Sequence, residues 1–241
     1  MTGQQKKLVV LPIGSKGGVG RSWVLSLLAD WYQSQKISFR AVDLDQENHT
    51  LTRFYGASES LKNVNEKNLD ELLEGIMAGG EAVTLIDQKG AAVEPLQGWL
   101  GLVDFKFLSQ NQGLNFTALG VVDASADSVA SVNFWRQNAL KNDEAVRYLM
   151  VQNRVWKEAW RGELSGQKRS LEHPKSDLLE IPKLDERLHA YLEEKNLSVS
   201  AGLALREASQ ALTLFVNRVR LRKYQLAVFN AFAQASNLLL P

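Results

Sequence analysis

The sequence contains no cysteine, which excludes disulfides and thiolate-bound metal and fits a reducing compartment. Its three histidines, His49, His173 and His189, are scattered without ligand spacing. They read as solvated or internally satisfied side chains rather than a zinc site. No apolar run approaches the roughly 18 residues that a membrane-spanning helix requires. Net charge is only +1 over 241 residues, so no global attraction to nucleic acid or acidic lipid exists, and either role needs a local patch. Lys6-Lys7 ahead of an apolar run has the outline of a signal peptide. That run is short, contains Pro12 and meets glycines at once, so it reads as a first core strand. A cytoplasmic location is expected.

What the chain does have is 45% hydrophobic content, enough for a substantial core and for one α/β domain over residues 1–241. Short apolar runs alternate with helical patterns, which indicates a parallel sheet with crossover helices. Strands are expected at 8–13, 38–43, 82–87, 104–108, 117–123, 146–153 and 178–181. Helices are expected at 20–35, 68–78, 93–100, 128–141, 184–194 and, as a basic C-terminal helix, over about 202–236. The polar, basic stretch 156–176 reads as a surface insertion or lid. The fold class that follows is a three-layer, doubly wound, mostly parallel α/β sheet.

The most telling segment is Ser15-Lys16-Gly17-Gly18-Val19-Gly20-Arg21-Ser22, set directly behind Leu8-Val9-Val10-Leu11-Pro12-Ile13. Strand, glycine-rich turn and helix together have the layout of a phosphate-binding loop. Glycines let the backbone wrap closely, so that successive N–H groups converge on an anion. The positive end of the following helix adds to that field. Ser22 is placed to give its hydroxyl to a Mg²⁺ ion bridging phosphates. Where a lysine usually precedes the Ser/Thr, this chain has Arg21, a wide planar fork in place of a compact ammonium. Anion binding is therefore favoured while turnover is in question. The bland alternative is a glycine-rich turn without a ligand. A dinucleotide-type GxGxxG fails, because Lys16 stands where the second glycine belongs.

Ligands of such sheets bind beyond the carboxyl ends of the strands, and two expected strands end there in aspartate. One gives Asp43 and Asp45, two apart and on one side of an extended chain. The other ends in Asp87. Asp87 suits holding Mg²⁺ through a bound water, beside Asp43 and Ser22, and Asp45 suits orienting an attacking water. Each acid taken singly is as readily a cap of the next helix.

These motifs resemble the ParA/MinD family of P-loop ATPases over roughly residues 7–182. Lys16 matches the signature lysine of that family's deviant loop, Asp43-x-Asp45 its second acidic motif and Asp87 its third. The resemblance implies the P-loop NTPase form of the sheet, with ATP and Mg²⁺ as cofactors. It implies phosphates wrapped by Ser15 to Trp23, an adenine-contacting Asn153, and a base pocket lined by the backbone of Pro182. It further implies ATP held between two copies, with Lys16 crossing to the partner's phosphates and hydrolysis releasing the dimer. Such a switch, working with an activating protein partner, positions or supports transfer of plasmid DNA or other cargo. The spacing of Asp45-Gln46-Glu47-Asn48-His49-Thr50 is similar to that of TraL-type conjugative transfer proteins. Asp87-Gln88-Lys89-Gly90-Ala91 and Asn217-Arg218-Val219-Arg220 resemble the same group. Arg21, Trp23 and Lys89 depart from the family pattern. They keep a second function open, a catalytically impaired pseudo-ATPase acting as a scaffold. A small-molecule kinase or synthetase lacks any separate substrate site.

Toward the C-terminus, Leu205, Leu212, Val219 and Leu226 recur with Ala208, Phe215 and Phe229 beside them, and are expected to form a buried helical face. Arg218, Arg220, Arg222 and Lys223 flank it. They fit a solvated rim, a DNA-backbone patch or a partner-protein surface. Membrane attachment through Phe229, Phe232 and Leu238-Leu239-Leu240 ranks lower, because no run of lysines accompanies them.

Overall fold

The apolar run ahead of the glycine loop forms strand β1 (Lys7–Ile13), buried along its whole length. The computed structural model describes residues 6–44, 50–55, 59–61, 63–88, 92–123, 125–153, 176–205 and 215–241. Within them β1 is the middle strand of a seven-stranded sheet ordered β3-β2-β4-β1-β5-β6-β7, in which every pairing is parallel. The other strands are β2 (Phe39–Asp43), β3 (Glu59–Ser60), β4 (Val83–Asp87), β5 (Leu114–Val122), β6 (Val146–Asn153) and β7 (Ser176–Ile181). The chain lays β2 to β4 on one side of β1 and β5 to β7 on the other, so the crevice beyond β1 is the topological switch point. Register sets Asp43 directly beside Asp87 at that rim.

Alternation along each strand divides the core between the two faces of the sheet. Leu8 and Val10 of β1 join one cluster, whereas Val9, Leu11 and Ile13 join the other. The first cluster takes α1 (Arg21–Ser34), α2 (Thr50–Phe54), α7 (Glu186–Glu194), α8 (Val199–Ala204), α9 (Phe215–Gln234) and α10 (Ser236–Leu239). The second takes α3 (Glu66–Ala78), α4 (Val93–Leu100), α5 (Phe105–Gln112) and α6 (Ala126–Phe134), which runs on as a π-helical turn over Trp135–Ala139. Three layers result, as the sequence pattern implies. The segment 156–176 lies outside the described residues except for its last, which opens β7.

Two expectations are overturned. Residues 104–108 are not a strand, because Asp104 caps α5 through the Phe107 N–H at 2.8 Å and Gly113, at φ +62°, ends it. Phe105 and Leu108 are the pair that α5 buries, three residues apart. The second concerns the C-terminal helix over 202–236. Leu205 is extended and ends α8, residues 206–214 are not described, and α9 begins at Phe215. Its buried face is Leu221, Tyr224, Gln225, Val228 and Phe232, whereas Phe215, Val219 and Leu226 are exposed. Two apolar stripes compete for the core here. The winning one carries Phe232 against Trp31, with ring centroids 5.9 Å apart, and Tyr224 to the Trp23 indole.

The apolar terminus is also part of the core. Tyr32 donates its hydroxyl to the Leu239 carbonyl at 2.7 Å, Arg147 donates to the Leu240 carbonyl at 2.9 Å, and Thr117 donates to the Leu238 carbonyl. Phe232 and Leu239 are fully buried, so these side chains are not presented to a membrane. The assignment of faces on α9 is testable by urea unfolding. Phe232→Ala should cost about 3–5 kcal/mol, whereas Val219→Asp should stay within about 0.5 kcal/mol of the parent. Equal losses for both would mean the helix is rotated.

Candidate functional site

Beyond Ile13 the chain turns through Gly14–Gly20 into α1. Gly18 and Gly20 adopt left-handed φ values of +75° and +86°, which residues with a Cβ rarely take. A Cβ at Gly17 or Gly18 would meet nothing within 4 Å, so a ligand can approach this backbone closely. Gly20 offers α1 no side-chain cap, which leaves the first-turn N–H donors and the positive helix end for an anion. Neighbouring elements brace the loop. The Ser15 N–H donates to Ser131 Oγ on α6 at 2.6 Å. Asn153, buried at the end of β6, donates Nδ2 to the Val19 carbonyl at 3.0 Å, so its amide holds the loop. Gln88 donates Nε2 to the Gly14 carbonyl at 3.2 Å.

Arg21 is 8% exposed. Its Nη1 donates to the carbonyls of Gly14 at 2.7 Å and Lys16 at 2.9 Å. The guanidinium thereby clasps the loop onto itself, one planar arm reaching both oxygens. Burial lowers its pKa and the neighbouring Asp87 acts against that. An arginine nonetheless keeps its proton.

Beneath the loop, Asp87 is 1% exposed, and neither carboxylate oxygen has a hydrogen-bond partner of normal geometry among the described residues. Burial, and secondarily the charge of Asp43, push its pKa up to about 7, against the lowering influence of the facing Ser22 hydroxyl, Arg21 and the Gln88 N–H. Asp43 accepts from both the N–H and the hydroxyl of Thr52 at 3.1 Å, the capping role that strand-end aspartates commonly take. Asp45 and Lys89 lie outside the described residues.

A cleft of about 250 Å³ opens on the loop. The loop and the first turn of α1 form one wall, and Arg53, Phe54, Gln88 and Glu193 complete it. Trp23 stands at its base, buried, edge-on to the rings of His189 at 4.6 Å and Phe54 at 6.1 Å. Its indole N–H donates to the Tyr224 hydroxyl at 3.2 Å. Burial lowers the pKa of His189, and Glu193, 3.8 Å away, opposes this. Lys16 stands at the outer rim, 3.5 Å from Asp127, with its side chain 44% exposed. Asn153 and Pro182 do not line the cleft. Of the four C-terminal cations, Arg218 donates to the carbonyls of Leu205 and Leu203, Arg220 faces Asp185 at 3.9 Å, and Arg222 and Lys223 are exposed.

The loop, Ser22 and Asp87, singled out by the sequence pattern, come together at this rim, joined by Gln88, Ser131, Arg53, Phe54, His189 and Glu193, to which that pattern assigned no role at the site. Gln88 adjoins Asp87 and was open to notice. The others arrive through packing and carry no local signal.

No family model matches the chain, and no curated protein does. Among solved structures, the MinD cell division protein of Aquifex aeolicus is similar with a TM-score of 0.59 at 12% identity, over 98% of each chain. A plasmid partition protein of Borrelia burgdorferi bound to AMPPNP gives 0.61 at 14% identity, over 95% of this chain and 100% of that one. The septum site-determining protein MinD of Pyrococcus horikoshii, complexed with Mg-ADP, gives 0.61 at 11% identity, over 97% of this chain and 98% of that one. The fold is that of the MinD/ParA P-loop NTPases, and at these identities the likeness is one of fold.

The raised carboxyl of Asp87 makes stability depend on pH. The folded state keeps a proton that the unfolded chain releases near pH 4, so that stabilisation is complete below pH 4 and is lost as pH rises through about 7. A shift of this size is on the order of 4 kcal/mol. Asp87→Asn removes the slope and should gain on the parent by roughly 2–3 kcal/mol between pH 5 and 8 in urea titrations. A difference that does not change with pH would show that Asp87 is ionised throughout.

Proposed function

We propose that the chain is a ParA/MinD-type switch protein that binds Mg-ATP at the glycine loop and associates with a second copy in a nucleotide-dependent manner. One observation carries this reading: an uncapped helix start and an open glycine backbone at the switch point, beside a buried carboxylate whose oxygens have no hydrogen-bond partner of normal geometry among the described residues. It is supported by a fold shared with proteins solved with AMPPNP and with Mg-ADP. A micromolar site requires about 8 kcal/mol, and hydrogen bonds to charged groups contribute about 1.5–3 kcal/mol each. Several loop amides with Ser22 reach that sum.

The residues present fit a magnesium ion. Ser22 and Asp87, whose buried oxygens have no hydrogen-bond partner of normal geometry among the described residues, would hold it, with Asp43, one oxygen of which anchors Thr52, adding negative charge beside them. When bound, Mg²⁺ neutralises phosphate charge and orders the chain of phosphates. The loop amides bind and orient the phosphates, and Asp45 holds the attacking water. Among the described residues the Lys16 ammonium pairs with the exposed Asp127, an interaction of low strength, and so remains available to a partner copy. The spacing of Asp45 to Thr50 supports a role in plasmid transfer or positioning of other cargo.

A second reading has its own observation. Arg21 is committed to the carbonyls of Gly14 and Lys16, which favours a slow or inactive pseudo-ATPase that keeps the nucleotide as a structural ligand. Titration calorimetry with Mg-ATP and phosphate release separate the two. The parent should bind in the micromolar range, and Gly18→Val should lose at least tenfold by filling the open backbone. Arg21→Lys should raise phosphate release, and an unchanged or lower rate would remove arginine as the cause of slow turnover. No heat with the parent would end both readings.

The exposed Arg222 and Lys223 lie between the exposed Phe215, Val219 and Leu226, a surface better suited to a protein partner than to DNA phosphates. Retention on DNA should be weak and unaffected by Arg222→Ala. A steep salt dependence that this variant flattens would instead identify a phosphate contact.

A further inference from the structure

We propose that Arg53 is the cation that meets the terminal phosphate of the bound nucleotide, doing from the lining of the cleft what a loop lysine does from within; this rests on the nucleotide reading above. Among the described residues, three cations bear on the loop and its cleft. Arg21 is turned into it and donates to the carbonyls of Gly14 and Lys16. Lys16 points outward to Asp127. Arg53 is exposed and lines the cleft together with the loop, and among the described residues it forms no hydrogen bond or ion pair.

A further cation suits the outer end of a phosphate chain held here. Asp43 and Asp87 lie side by side at the rim beneath the loop. The loop meets an anion with its amide dipoles, while its own guanidinium is turned to the carbonyls of Gly14 and Lys16. A guanidinium lining the cleft suits that end of the ligand, because its fork pairs with two phosphate oxygens at once.

Arg53 is also held in place to do this. Its short helix α2 is pinned at one end by Asp43, through the N–H and hydroxyl of Thr52. At the other end, Tyr55 donates its hydroxyl to Asp30. Asp30 is itself fixed by Ser198 Oγ and the Ser200 N–H, both at 2.8 Å. Leu51, in the first turn of the same helix, is fully buried. The strand-end aspartate Asp43 thus connects the floor of the site to the wall that carries Arg53, and Arg53 is a positioning residue for the phosphate chain.

The test is titration calorimetry of the full chain with Mg-AMPPNP, Mg-ADP and inorganic tripolyphosphate, for the parent, Arg53→Ala and Arg53→Lys. Folding is checked by an unchanged urea midpoint, expected because the Arg53 side chain is exposed. Arg53→Ala should weaken AMPPNP and tripolyphosphate at least tenfold and ADP less than threefold, and should flatten the salt dependence of AMPPNP binding. Arg53→Lys should recover part of the loss. AMPPNP binding that is equal in parent and Arg53→Ala overturns the assignment and leaves the nucleotide reading standing. Arg53-dependent binding of tripolyphosphate without nucleotide binding does the reverse. A parent that binds none of the three ligands overturns both.

Discussion

A guanidinium folded back into its own loop governs what this site can do. By donating to the carbonyls of Gly14 and Lys16, Arg21 closes the glycine turn from inside and fixes its shape before any ligand arrives. A lysine ammonium in the same seat is a mobile point charge, whereas the planar fork bridges two oxygens and gives up freedom in return. The loop is consequently rigid and preorganised, while the charge it directs toward an anion is reduced. Each notable feature around it compensates for, or follows from, that exchange. Asp87 lies below, stripped of water and without a hydrogen-bond partner of normal geometry among the described residues. Its raised pKa relieves the repulsion that two neighbouring acids create in a dry environment.

The braces on the loop come from elements far apart in the chain. Ser131 reaches it from α6, Asn153 from β6 and Gln88 from the end of β4. All lie at the carboxyl rim because a parallel sheet brings its strand ends to one edge. On the other face, Trp23 ties the start of α1 to α7 and α9 through His189 and Tyr224. A large indole after Ser22 is thus explained by packing. It joins the base of the cleft to the C-terminal layer, which carries the exposed stripe of Phe215, Val219 and Leu226.

Most of the sheet was readable because its strands are buried on both faces and stand out as apolar runs, as 146–153 did to the residue. The failure at 104–108 is instructive. Asp-Phe-Lys-Phe alternates like a strand, yet the capping aspartate and Gly113 at the far end were a stronger, helical signal. In the C-terminal helix, the sevenfold spacing of Leu212, Val219 and Leu226 pointed to one stripe. The core chose the stripe with Tyr224, Val228 and Phe232, since only shape complementarity with Trp23 and Trp31 separates the two. Local chemistry made the loop, Ser22 and Asp87 visible as candidates. The clasp of Arg21, the capping of Thr52 by Asp43 and the place of Arg53 in the cleft depend on tertiary distances that no spacing rule encodes.

The claim from which the rest follows is that the loop receives a phosphate chain with Arg21 still folded inside it. Amide and guanidinium proton resonances, followed by NMR as Mg-AMPPNP is added, observe both halves of that claim at once. The backbone signals of Gly17, Gly18 and Gly20 should move together and saturate, while the Arg21 guanidinium protons stay protected from exchange. Unmoved glycine signals, or Arg21 protons that become labile as the ligand binds, would contradict it.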